Sequence, residues 1–153
     1  MDALATFKTL AHRLQFIGKL NDVDYYDDSI STTVESAISA IKAIPNAGTI
    51  LLGGMDRGID YDPLVDFLQT RNLEHIILMY DSGKVLLDKL SSVASDTFME
   101  HVHYIEDLAD ACEFVKSNAS KGTAVILSPA SASYGVFKNF EQRGDFFKEH
   151  IGL

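Results

Sequence analysis

Three short stretches of this chain carry residues whose types and spacing suit the binding of an anion or a carboxylate. Residues 27–33 read DDSISTT. Asp28 stands just before a run of hydroxyls that leads into a helix amino terminus, where free N–H groups and the helix dipole attract negative charge. The same hydroxyls would equally serve to cap the helix, and the local sequence leaves both readings open. Residues 53–58 read GGMDRG. They have the outer glycines of a phosphate-binding P-loop, but Ile59-Asp60 stands where the lysine and the metal-binding hydroxyl belong, so a triphosphate and magnesium cannot be held in the usual way. The stretch is either a plain glycine turn or a loop presenting Arg57, whose guanidinium fork matches the two oxygens of a carboxylate. Residues 123–144 read TAVILSPASASYGVFKNFEQRG. An apolar strand at Val125, Ile126 and Leu127 stops at Pro129, and Ser131, Ala132 and Ser133 have so little bulk that a ligand can approach the backbone. Ser133 is predicted to cap a helix beginning near Tyr134.

Other chemistry finds less support. His101 and His103 alternate as on one strand face, but no third ligand stands at a suitable spacing, so no metal site is predicted. There is no G-x-S-x-G, no H-E-x-x-H and no pair of cysteines, and the acidic residues are too scattered to nominate a catalytic pair. The lone Cys112, in DLADACEFV, fits the buried side of a helix. With 22 acidic against 13 basic residues and a net charge of -9, the chain would repel a phosphate backbone, so nucleic acid is not an expected partner. No apolar run reaches the roughly 18 to 20 residues of a membrane span. The stretch MDALATFKTLAHR lacks the apolar core of a signal peptide. These features predict a cytoplasmic protein without a membrane partner.

The elements that must position the three stretches follow from periodicity. Leu14 to Leu20 and Val23 to Tyr26 read as two adjacent strands joined by the turn Asn21-Asp22. Val34, Ala37, Ile38, Ile41 and Ile44 form a helical stripe, with Thr32 and Glu35 at capping-box spacing and Pro45-Asn46 closing it. Thr49 to Leu52 is a buried strand, Pro63 to Gln69 a helix, Ile76 to Tyr80 a strand and Ser82 to Leu90 a helix. Met99 to Tyr104 is a short strand, Asp107 to Ser117 a helix, and a last helix runs from about Val136 towards His150 with an interruption at Gly144. Strands alternating with helices predict an α/β, Rossmann-like, doubly wound and mostly parallel sheet of about six strands, with helices on both faces. In such sheets ligands bind outside the carboxyl ends of the strands, which brings DDSISTT, GGMDRG and SPASAS to one edge.

Taken in order, HRLQF, YYDDSISTT, LLGGMDRGIDYDPL, MYDSG and LSPASASYGVFKNFEQRGDFF resemble the carboxyl-terminal third of MurD-type ligases, enzymes that add glutamate to UDP-N-acetylmuramoyl-L-alanine. The resemblance runs along nearly the whole chain. It implies a domain, residues 12–153, that binds the incoming glutamate, with residues 1–11 a linker or helix from a central domain. ATP and magnesium would be held mainly by that central ATPase domain, which, like the amino-terminal UDP-binding domain, has no counterpart among the 153 residues. In the family, ATP phosphorylates the carboxylate of the UDP-linked substrate and the glutamate amine attacks the acyl phosphate. The part implied for this domain is positioning, and by itself it is not expected to be active. Carried over by motif, His12, Arg13 and Asp28 would face the nucleotide, while Thr32, Arg57, Ser133, Tyr134 and Phe140 would surround the glutamate, Tyr134 through its backbone. Arg57 stands where many members have lysine. Ile30 also replaces a lysine, that of a DSKAT stretch, so one salt bridge to glutamate is lost and the choice between D- and L-glutamate stays open. Two alternatives remain, a free-standing binding or regulatory module of this fold and a related ligase adding another amino acid.

Overall fold

A computed structural model describes residues 11–153; the linker or helix predicted for residues 1–11 lies almost wholly outside the described residues. The architecture is a six-stranded sheet in the order β1-β2-β6-β3-β4-β5. The strands are β1 (Gln15–Leu20), β2 (Val23–Asp27), β3 (Ala47–Leu52), β4 (His75–Leu78), β5 (Val102–Tyr104) and β6 (Ala124–Leu127). Among the described residues the β1–β2 hairpin is the one antiparallel strand pair of this sheet and the other strand pairs are parallel; an isolated antiparallel bridge joins Met55 and Ala132. The central strands are buried on both faces, as their unbroken apolar runs require. Side chains alternate across the sheet: Ile50 and Leu52 enter one core layer and Leu51 the other.

On the first face lie α1 (Val34–Ala43), α2 (Asp62–Leu68) and α3 (Tyr80–Val93), which bury Ala37, Ile41, Leu64, Leu68, Leu86 and Leu90 against the sheet. On the second lie α5 (Leu108–Asn118) and α6 (Phe140–Ile151), contributing Leu108, Cys112, Val115, Phe147 and Ile151. Cys112 is thus a packing residue, and burial pushes its thiol up to about 12. A single-turn helix, α4 (Asp96–Met99), precedes β5. Among the described residues no helix is long and apolar enough to cross a membrane.

Several boundaries differ from the sequence reading. The cap of α1 is Thr33, not Thr32; its hydroxyl accepts from the Ser36 N–H at 3.1 Å. The segment expected to be strand from Met99 begins three residues later, because Ser95 caps α4 and Met99 closes that turn. Tyr80 belongs to α3 instead of β4. Ser133 caps no helix. Its carbonyl accepts from the Phe137 N–H at 2.9 Å to close a turn, Gly135 takes φ +92°, and α6 starts at Phe140 under an Asn139 cap bonded to the Gln142 N–H at 2.8 Å. Gly144 does not interrupt α6. It lies inside the helix because a Cβ there would strike the Asp27 carboxylate at 2.5 Å and the His12 ring.

A cluster of His75, His103 and Phe114 packs with ring centroids 4.8 to 5.4 Å apart. Burial, helped by the neighbouring His75 and His101, holds the His103 imidazole below its ordinary value of 6.5. The unfolded chain therefore takes up this proton more readily than the folded one. The contribution of His103 is complete above about 6.5 and is lost as pH falls from there towards the lower folded value. The melting temperature is expected to drop between about pH 7.5 and about pH 5.5, with a shallower drop in His103→Gln; an equal slope in that variant would place the titration elsewhere.

Candidate functional site: three loops at the carboxyl edge of the sheet

Strands β2, β6 and β3 are neighbours and parallel, so residues 27–33, 128–133 and 53–58 leave the sheet side by side at its carboxyl edge. This is where a doubly wound sheet opens a crevice for ligands. Backbone bonds stitch the loops together: Gly53 N–H donates to Pro129 O at 2.9 Å, and Met55 N–H to Ala132 O at 2.9 Å. The Ser82 hydroxyl, at the start of α3, accepts from Gly54 N–H at 2.8 Å and shares a bond with the Ser131 hydroxyl at 2.7 Å.

Asp28 is buried at 4 % exposure, and its carboxylate binds three donors: Leu14 N–H at 2.8 Å, the Ser31 hydroxyl at 2.5 Å and the Ser128 hydroxyl at 2.7 Å. Burial raises its pKa, and the hydrogen bonds from Ser31, Ser128 and Leu14 oppose that rise. Its neighbour Asp27 accepts from Ser29 N–H at 2.9 Å and faces the His12 Nδ1 at 2.6 Å. The second His12 nitrogen lies 3.8 Å from Asp145, and the ring meets Phe140 edge-on with centroids 6.1 Å apart. A cavity of about 420 Å³ opens beside these groups, lined by Arg13, Asp28, Ile30, Ser31 and the α1 residues Ser36 and Ala40. Arg13 is exposed there, and Ile30 offers that cavity an apolar wall.

The residues expected around an amino acid lie elsewhere on the same edge, and none of Thr32, Arg57, Ser133, Tyr134 or Phe140 lines that cavity. Arg57 is exposed, its guanidinium 5.9 Å from the centre of the Tyr134 ring, so GGMDRG meets the residue that follows SPASAS through a cation–π contact. Tyr134 is 54 % exposed and Ser133 only 5 %, which leaves the ring as the accessible group of that pair. Thr32 is exposed on its loop and Phe140 is half-buried at the first turn of α6. His12, Arg13 and Asp28 therefore group on one flank, and Arg57 with Tyr134 on the other.

Arg143, which the sequence reading did not single out, lies beneath both. It is 2 % exposed and donates from Nε to the Ser29 hydroxyl at 3.0 Å, from Nη2 to Ser29 O at 2.7 Å and from Nη1 to Ser131 O at 2.9 Å. Burial pulls its pKa down to about 10, with Asp27 and Tyr80 opposing, so it stays charged at neutral pH. The signal was its spacing: Phe140, Arg143, Gly144, Phe147 and Ile151 recur at helical period on the face that α6 turns inward. Among the described residues no group of three or more His, Cys, Asp or Glu could hold a metal ion.

Comparison with known proteins identifies the family of this fold. Residues 12–131 match the family described as "Mur ligase, glutamate ligase domain". A UDP-N-acetylmuramoylalanine--D-glutamate ligase of Lachnospira eligens is 32% identical over 151 residues, covering 99% of this chain and 32% of the relative. The ligase of that name from Geotalea uraniireducens is 34% identical over 149 residues, covering 97% of this chain and 31% of the relative. The chain thus spans about a third of the length of these relatives. The crystal structure of MurF ligase from Thermotoga maritima in complex with ADP has the same fold over 97% of this chain and 33% of its own, with a TM-score of 0.61 at 16% identity. The match over residues 12–131 shows that this chain belongs to the family of Mur ligase, glutamate ligase domains.

Proposed function

We propose that this chain is the amino-acid-binding domain of a cytoplasmic, ATP-dependent ligase that joins glutamate to UDP-N-acetylmuramoyl-L-alanine in peptidoglycan synthesis, and that it does not turn over by itself. The observation that carries this reading is the convergence of three loops from adjacent parallel strands at one sheet edge, with the Arg57 fork at its rim. Names borne by relatives that this chain matches almost end to end support the substrate.

In this reading Arg57 grips a carboxylate of glutamate, the buried Ser133 and the exposed Thr32 supply hydroxyls or backbone donors, and Phe140 covers the aliphatic carbons. The role of such groups is to fix the amine in a near-attack geometry and so remove an entropic cost from the reaction. On the other flank His12, Arg13 and Asp28 face the nucleotide. The fit there is partial: Asp28 already binds three donors, and Arg13 is the exposed charge. ATP and magnesium, which supply the phosphoryl chemistry when bound, belong mainly to a part of the ligase outside this chain, in keeping with GGMDRG lacking the lysine and hydroxyl of a P-loop.

The test uses the intact protein that carries this chain, given ATP, magnesium, UDP-N-acetylmuramoyl-L-alanine and each glutamate enantiomer in turn. ADP release is expected only with both the UDP substrate and one glutamate enantiomer present, and that enantiomer resolves the open question set by Ile30. ADP release indifferent to glutamate, or supported equally by other amino acids, would overturn the proposal.

A further inference from the structure

The acceptors around Arg143 separate into two sets on two different loops. Nε and Nη2 bind Ser29, two residues past the end of β2, while Nη1 binds Ser131, four residues past the end of β6. The Ser29 hydroxyl passes the contact on, donating to Phe140 O at 2.6 Å, the first residue of α6 itself. A Cβ on Gly54 would come within 3.2 Å of Nη1, so the third loop also packs against this guanidinium. Nearer the sheet, the Ser128–Asp28 bond already ties the same two loops at their roots. Arg143 ties them further out, beside Ser133.

All three acceptors are neutral, and among the described residues no carboxylate lies within ion-pair distance of Arg143. For stability alone an apolar side chain of similar volume would serve as well or better than a buried cation that makes no ion pair among the described residues and is supported by Asp27 only at longer range. A planar fork with donors pointing two ways does what such a side chain cannot, which is to span two segments at a fixed separation. We propose that Arg143 is a positioning residue: it sets the spacing between residues 27–33 and 128–133 and so presets the amino-acid pocket before its ligand arrives. The ligand half of this proposal rests on the glutamate-binding reading; the structural half does not.

The experiment is amide hydrogen exchange on the intact protein, together with steady-state kinetics. In Arg143→Met, amides of residues 29–33 and 131–135 are expected to exchange at least about tenfold faster, both segments together, while those of β3 and β4 keep their rates. The glutamate KM is expected to rise at least about tenfold, and more than the ATP KM does. Arg143→Lys is expected to rescue neither, because an ammonium cannot bridge both loops. Loosening confined to one loop, loosening spread evenly through the sheet, or full rescue by lysine would overturn the proposal. Should Arg143→Met fail to fold, Ser29→Ala removes one acceptor; a smaller acceleration in the same two segments is expected, and no acceleration overturns the proposal. If the intact protein shows no glutamate-dependent reaction, the functional reading fails while the exchange data still decide the role of Arg143.

Discussion

Gly53→Ala is expected to deplete the folded protein more than any other single-methyl addition in the three loops. Gly53 takes φ +124°, where side chains other than hydrogen are strained, and its Cβ would overlap the Met79 carbonyl. That carbonyl cannot step aside. Met79 is fixed on both sides, its N–H donating to Leu52 O at 2.9 Å and its oxygen accepting from Gly83 N–H at 2.9 Å in the first turn of α3. Backbone strain of about 1 to 3 kcal/mol adds to overpacking of about 1 to 3 kcal/mol. The sum is a large share of the roughly 5 to 15 kcal/mol that holds an ordinary domain together. Gly58→Ala is the control, since φ is +72° there but nothing lies within 4 Å of the added carbon. Urea unfolding followed by circular dichroism is expected to show Gly53→Ala destabilised by at least about 2 kcal/mol more than Gly58→Ala. Equal midpoints would mean that the loop after β3 is not held as described.

The same loop shows what the sequence made legible. Ile50, Leu51 and Leu52 read as a strand because an unbroken apolar run can be buried on both faces, and they are. The alternation of such runs with helical stripes gave the parallel sheet and so brought DDSISTT, GGMDRG and SPASAS to one edge. Details decided by single backbone angles were less accessible. Thr32 and Thr33 are chemically identical candidates for the cap of α1, and only the extended φ of -120° at Thr33, aiming its hydroxyl at Ser36, separates them. Ser133 was a plausible cap until the turn closed by Phe137 N–H pushed the start of α6 to Phe140. Arg143 stayed hidden because FEQRGDFF mixes charges among its aromatics, and a charged residue there reads as solvent-facing. Besides the helical spacing, the company of Gly144, a glycine inside a helix where Asp27 and His12 come close, marks that face as packed.

Arg57→Ala is expected to raise the glutamate KM of the intact protein by about 30- to 100-fold while leaving the ATP KM within about twofold. Arg57 is exposed at the rim, so its removal strands no buried partner, and the loss falls on ligand contacts instead of the fold. One hydrogen bond to a charged group contributes about 1.5 to 3 kcal/mol, so the expected range corresponds to the net loss of about one such bond at an exposed, screened rim. Two features hold the fork ready. Gly58 N–H donates to the Asp56 carboxylate at 3.0 Å, closing a tight turn around Arg57, and the Tyr134 ring 5.9 Å from the guanidinium supports it from the facing loop. Arg57→Lys keeps the charge but loses the fork and much of the stacking, so an intermediate rise of about five- to tenfold is expected. Tyr134→Ala leaves the fork unsupported and is expected to cost a few-fold at most, since an exposed cation–π contact contributes only about 0.5 to 1 kcal/mol. A carboxylate gripped at an exposed rim is also screened by salt, so the wild-type glutamate KM should climb with ionic strength and that of Arg57→Ala should not. An unchanged glutamate KM in Arg57→Ala would remove Arg57 from the pocket and leave the Ser133 side of the edge to hold the carboxylate alone.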